Sequence, residues 1–128
     1  MGLTIYCDLT KSGGHISYTA FHAFRQHVAD ALDFRIGTAY RKICSHANTF
    51  NKDMLVSHIY KVGQWEHINK RAINFLFKSD SCGKLCPSAC KVIADKLETY
   101  DLPDCEEFNN IKAAINDCKS KNAYLIWQ

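Results

Sequence analysis

Apolar and polar positions alternate from the start of the chain. Leu3, Ile5 and Cys7 are separated by Thr4, Tyr6 and Asp8, the period-two rhythm of a half-buried strand, and the stretch KSGG at 11–14 then supplies a turn. From Ser17 the rhythm lengthens. Phe21, Phe24, Val28, Ala31 and Leu32 fall in one helical arc, with Tyr18 at its edge and Ser17 placed as an N-cap. Arg25 lies inside that arc and His22 just beside it. Gly37 is expected to end or interrupt this element.

Residues 38–62 predict one or two short helices, TAYRKICSHA and KDMLVSHIYKV. The stretch WEHINKRAINFLF fits two patterns. Ile68, Ala72, Phe75 and Leu76 suit a helix, Ile73, Phe75 and Phe77 a strand, and the helix is favoured. Pro87 suits the first position of a further helix, on which Cys86, Cys90, Ile93, Leu97 and Tyr100 form a buried stripe. Pro103 breaks the chain, and Asp104 with Glu107 predicts an acidic capping box. Phe108, Ile111, Ile115 and Cys118 give the last helix its apolar face, and AYLIW reads as a strand paired with residues 3–8. The expected fold is α+β: a mainly helical single domain, 1–128, with a small sheet pairing the N- and C-terminal strands. A strand ending in Leu125 and Trp127 at a sheet edge would allow a homodimer as well as a monomer.

Composition narrows the class. The chain has 128 residues, 47% hydrophobic and 23% charged, as in soluble globular domains. Such a chain buries roughly two thirds of its unfolded surface, enough for a core without disulfides or metal. No apolar run approaches the roughly 18 residues of a membrane span. The first residues lack a basic region before the polar break at Asp8, so no secretory signal is expected and the cytoplasm is the expected location. Seven cysteines, an odd number, are expected to be free thiols. Cys7, Cys86, Cys90 and Cys118 fall on core faces, where a thiol packs as a small hydrophobe. Cys82, Cys86 and Cys90 match neither zinc nor iron–sulfur spacing, which leaves Cys82 as an exposed loop thiol. No metal and no cofactor is expected.

Charge points to one segment. The net charge is +3, but residues 35–71 carry seven cations against Asp53 and Glu66. These cations, Arg35, Arg41, Lys42, Lys52, Lys61, Lys70 and Arg71, are interleaved with Tyr40, Tyr60 and Trp65, a composition that suits single-stranded nucleic acid. A solvated basic face has the same composition. Tyr18, His22 and Arg25 follow i, i+4, i+7 spacing and form a candidate strip, with Asp80 as the expected partner for a buried Arg25. Ser79, Asp80, Cys82 and Gly83 form a candidate loop. Its layout is that of a calcium loop, but Lys78, Cys82 and Ala89 stand where ligands belong, so a metal-free turn is expected. No HExxH, GxSxG or phosphate-cradling glycine loop occurs, no catalytic residue is assigned, and the balance falls against an enzyme.

The blocks ISYTAFHAFRQHVADAL and FLFKSDSCGKLCPSAC resemble a family of small bacteriophage and bacterial proteins without an established activity. Its members combine an SYxxFxxFR helix with an HSDCDGxLxPxxC loop. The resemblance covers Ser17, Tyr18, Phe21, Phe24 and Arg25, then Ser79, Asp80, Gly83, Leu85, Pro87 and Cys90; Lys78 and Cys82 depart from the pattern. It implies a phage or prophage accessory protein in the host cytoplasm, non-enzymatic, with a host or phage protein as partner. Two alternatives stand beside it: nucleic-acid binding through 35–71, and a small metal-dependent enzyme or metal-binding protein centred on the 78–90 loop.

Overall fold

The alternation at the start becomes strand β1 (Gly2–Cys7), with Leu3, Ile5 and Cys7 buried. The computed structural model describes residues 2–44, 57, 59, 68–78 and 81–128. The turn falls earlier than KSGG, at Asp8–Thr10, and Gly13 and Gly14 already belong to a strand that the alternation did not announce, β2 (Gly13–Ser17), antiparallel to β1 with Leu3 opposite Ile16. Two short strands follow much later, β3 (Gly83–Leu85) and β4 (Leu125–Trp127). The sheet order is β2-β1-β4-β3, antiparallel throughout, with Ile5 and Gly83 both opposite Trp127. The terminal strand is therefore interior. The expected exposed edge at Leu125 and Trp127 does not exist, because β3 covers it and both side chains are buried.

Helix α1 (Tyr18–Leu32) grows directly from the end of β2. Ser17 serves as the last strand residue and as the N-cap, its Oγ accepting the Ala20 N–H at 3.1 Å. The helix ends at an extended Asp33, and α2 (Phe34–Cys44) begins one residue later. Gly37 thus lies within α2 and terminates nothing. A Cβ there would overlap the Asp30 carboxylate of α1, so the missing side chain is what lets the two helices approach. Of the second predicted helix in this region, only Ser57 and Ile59 are among the described residues; both are helical and Ile59 is buried.

Within the ambiguous stretch, residues 70–77 are helical, as the favoured pattern predicts. Asn69 caps α3 (Lys70–Asn74) by accepting the Arg71 N–H at 2.8 Å, and a 3-10 turn (Phe75–Phe77) continues it. Both candidate apolar sets are buried there, because this short segment is enclosed on more than one side and Phe75, Leu76 and Phe77, pointing in different directions, all meet the core. Pro87 opens α4 (Pro87–Glu98) as expected, and α5 (Glu106–Lys121) carries Phe108, Ile111, Ile115 and Cys118 into the core. The predicted box between Asp104 and Glu107 does not form. Cys105 is the N-cap residue; Asp104 accepts from Asn109 Nδ2, and Glu107 reaches across the fold to the Ser17 N–H at 3.0 Å.

Helix α5 packs across β1, β2 and β4 with α4 beside it, and α1 packs on α4 and meets α5 through the Phe24 and Phe108 rings. At the centre, the rings of Phe21, Phe75 and Trp127 meet with centroids 5.6–6.1 Å apart. Full burial of side chains this size is worth about 1.5–3 kcal/mol each. The β1–β2 turn is tied down by Asp117 of α5, which accepts from Ser12 Oγ at 2.5 Å and Thr10 Oγ1 at 3.1 Å. The fold is α+β, with one sheet face under the helices. Among the described residues no helix is long and apolar enough to cross a membrane.

Candidate functional site

The Tyr18–His22–Arg25 strip does not assemble on one surface. Arg25 is only 3% exposed, and its Cζ lies 4.4 Å from the Phe21 ring centroid and 5.4 Å from that of Phe75, a cation–π stack inside the core. Tyr18 and His22 face outward, His22 within 3.4 Å of Gln26. Asp80, the expected partner of Arg25, lies outside the described residues, as does Ser79. Cys82 is exposed as expected. Gly83 belongs to β3, where a Cβ would run into the Trp127 indole; its role is close approach between strands, and the turn of a calcium-like loop does not require it.

The basic segment is divided by the fold. Arg35 makes a two-pronged contact with Asp33, Nε to Oδ1 and Nη2 to Oδ2, each 3.2 Å, and the bonding raises the Arg35 pKa. Arg41 is ion-paired with Asp30 of α1. Lys42 is exposed on the same helix, Lys70 and Arg71 belong to α3, and Lys52 and Lys61 lie outside the described residues.

Arg71 instead joins cations from later in the chain. The end of α3, strand β3, the start of α4 and the residue before β4 enclose a cleft of about 280 Å³. Arg71, Lys78 and Lys84 line it, together with Asn74 and Tyr124, over a floor of Leu85 and Cys86. None of these lining residues is a carboxylate, and among the described residues no carboxylate pairs with the three cations. A second cleft of about 330 Å³ between α4 and α5 contrasts with it. There Glu98 stands among Lys112 and Lys119, and Lys119 is bonded to Asp95.

Local rules explain each contribution. The three-residue spacing within α3 turns Arg71 and Asn74 to one side. Strand alternation points Leu85 inward and Lys84 outward, where its Nζ lies 5.4 Å from the Tyr124 ring. Cys86 is the N-cap residue of α4, half-buried in the cleft, so its predicted place on the buried stripe is not where it sits; the helical stripe begins at Cys90. Its Sγ lies 3.3 Å from Ser88 Oγ and 3.8 Å from Arg71 Nη1. Desolvation pushes this thiol up, but the Ser88 hydroxyl, the Ala89 N–H and Arg71 together outweigh it, and the net shift is downward. Cys7, Cys90 and Cys118 are core residues as expected, with the Cys118 pKa raised by its contact with Cys90 and by burial.

Lys78 follows directly from the turn that continues α3, whereas no local spacing in the sequence connects Lys84 and Tyr124, which the pairing of β3 with β4 brings together beside it. A second cluster was also illegible. His27 Nδ1 lies 2.8 Å from the Tyr100 hydroxyl, which donates to Asp30 at 3.5 Å, while burial and then Asp30 raise the Tyr100 pKa. With Arg41 on the same carboxylate, this chain of bonds holds α1, α2 and the end of α4 together.

Among the described residues no group of three or more histidine, cysteine or acidic side chains is arranged to hold a metal ion. No protein-family model, curated protein or solved structure matches the chain.

Proposed function

We propose that the protein works by binding and not by turnover, as the phage or prophage accessory factor that its resemblance implies, and that it grips its partner at the Arg71–Lys78–Lys84 cleft. One observation carries this reading: three cations share a cleft lined by no described carboxylate, whereas Arg35 and Arg41 of the basic segment are each held by an aspartate. Like charges gathered with no counter-ion among the described residues raise the local potential and favour an anionic group at that point. The ligand is accordingly a partner that presents phosphate or carboxylate to the cleft. The alternative through 35–71 is less favoured, because Asp30 and Asp33 already offset two of its cations.

Calorimetric titration with inorganic polyphosphate tests this directly. Binding that weakens with salt, disappears in Lys78→Glu/Lys84→Glu and survives in Lys112→Glu is the expected result. Equal binding by both variants, or none by the wild type, would rule the cleft out.

A further inference from the structure

The sheet face turned away from the helices carries a second set of unusual residues, continuous with the cleft. Tyr6, Ile126 and Lys84 sit side by side across β1, β4 and β3. Tyr124 lies two residues from Ile126 on the same side of β4, diagonal to Tyr6, and is 44% exposed. Tyr124 and Lys84 are also walls of the cleft, so face and cleft form one surface. Lys11 stands over the Tyr6 ring at 5.4 Å, and Asp8, the acid at this margin, is paired with that same lysine at 3.4 Å. His15 and Thr4, also directly opposite each other, are exposed further along the face.

We infer that the partner held at the cationic cleft is single-stranded nucleic acid, with phosphates between Arg71, Lys78 and Lys84 and bases stacked on Tyr124 and Tyr6. This rests on the binding reading of the cleft given above. An acidic peptide would satisfy the cations but would have no use for tyrosine rings beside them. Every base has a π-face, so aromatic residues among cations hold single strands with little regard to sequence. A duplex keeps its bases stacked within the helix and offers such a platform only its backbone. The shallow, open sheet face therefore suits splayed bases.

The test is fluorescence anisotropy with a labelled single strand of roughly 15 nucleotides, a length matched to known single-strand sites. A duplex of the same length, an acidic peptide and inorganic polyphosphate are run alongside. The single strand should bind tightest, and its log affinity should fall against log salt with a slope of about −2, as expected for three phosphate contacts on a single strand. Tyr124→Ala should weaken it about tenfold or more, Tyr124→Phe should restore it, and Tyr6→Ala should act in the same direction. Tyr6→Ala should leave polyphosphate binding unchanged, because Tyr6 is not among the residues lining the cleft. Preference for the duplex or the acidic peptide, or indifference to the tyrosine variants while polyphosphate still binds, overturns the nucleic-acid inference and leaves the cleft standing. Loss of all polyanion binding overturns both.

Discussion

A half-buried thiol beside a guanidinium and a helix N-terminus differs chemically from one in a core, and Cys86 and Cys118 illustrate the two cases. The lowered pKa of Cys86 means that its thiolate is present at a pH where an ordinary cysteine is still protonated. Alkylation of the native protein by iodoacetamide, followed by mass mapping across pH, should therefore label Cys86 at lower pH than a cysteine in an unstructured peptide. Arg71→Gln should move the Cys86 profile back upward. The sign for stability is consistent: folding favours the thiolate, so this contribution is full above the ordinary thiol pKa and is lost as pH falls through the lowered one. Cys7, Cys90 and Cys118 should stay unlabelled until the protein unfolds. The sequence distinguished only part of this. The helical stripe correctly identified Cys90, but extending it one turn back to Cys86 assumed that the helix continued, and Pro87 made Cys86 the cap. Arg25 was legible as an inward position; its stacking on two rings was not, because Phe75 comes from a distant segment.

At the scale of elements, boundaries between them carry more of the fold than their interiors. Ser17 ends β2, caps α1 and donates its backbone N–H to Glu107, so three elements meet at one residue. Ser17→Ala should cost about 1 kcal/mol in chemical denaturation, the usual value of an N-cap. Gly83→Val should cost more, since the new side chain must displace Trp127 or part β3 from β4; a shift of the denaturation midpoint no larger than that of Ser17→Ala would show that β3 is expendable. Helices with long apolar stripes, α1, α4 and α5, were readable from periodicity because each buries a single face. Strands β2 and β3 were not. Each is short and contains glycine, and each is a strand only because a neighbour supplies its hydrogen bonds. The cleft shares that origin, since its walls are joined by the β3–β4 pairing.

For the whole molecule, the ring cluster of Phe21, Phe75 and Trp127 joins helix α1, the 3-10 turn and the central strand, making it the point where the halves of the chain interlock. Trp127→Ala should remove about 3–5 kcal/mol, the range for deleting a large buried aromatic residue, with the loss read from the unfolding midpoint. Arg25 stacks on two of the same rings, so part of that loss should reflect its weakened packing, which a double-mutant comparison with Arg25→Met would measure.

The interior position of β4 also governs the order in which the molecule can be completed. Of the four strands it is synthesised last, yet it is the one that joins β1 to β3. Until the ribosome releases those residues, both neighbours display unsatisfied backbone edges, and the cleft has no fourth wall. Until β4 has emerged, the edges of β1 and β3 that it will cover are open to edge-to-edge association. The cleft itself is complete only once the residues around Tyr124 lie beside β3.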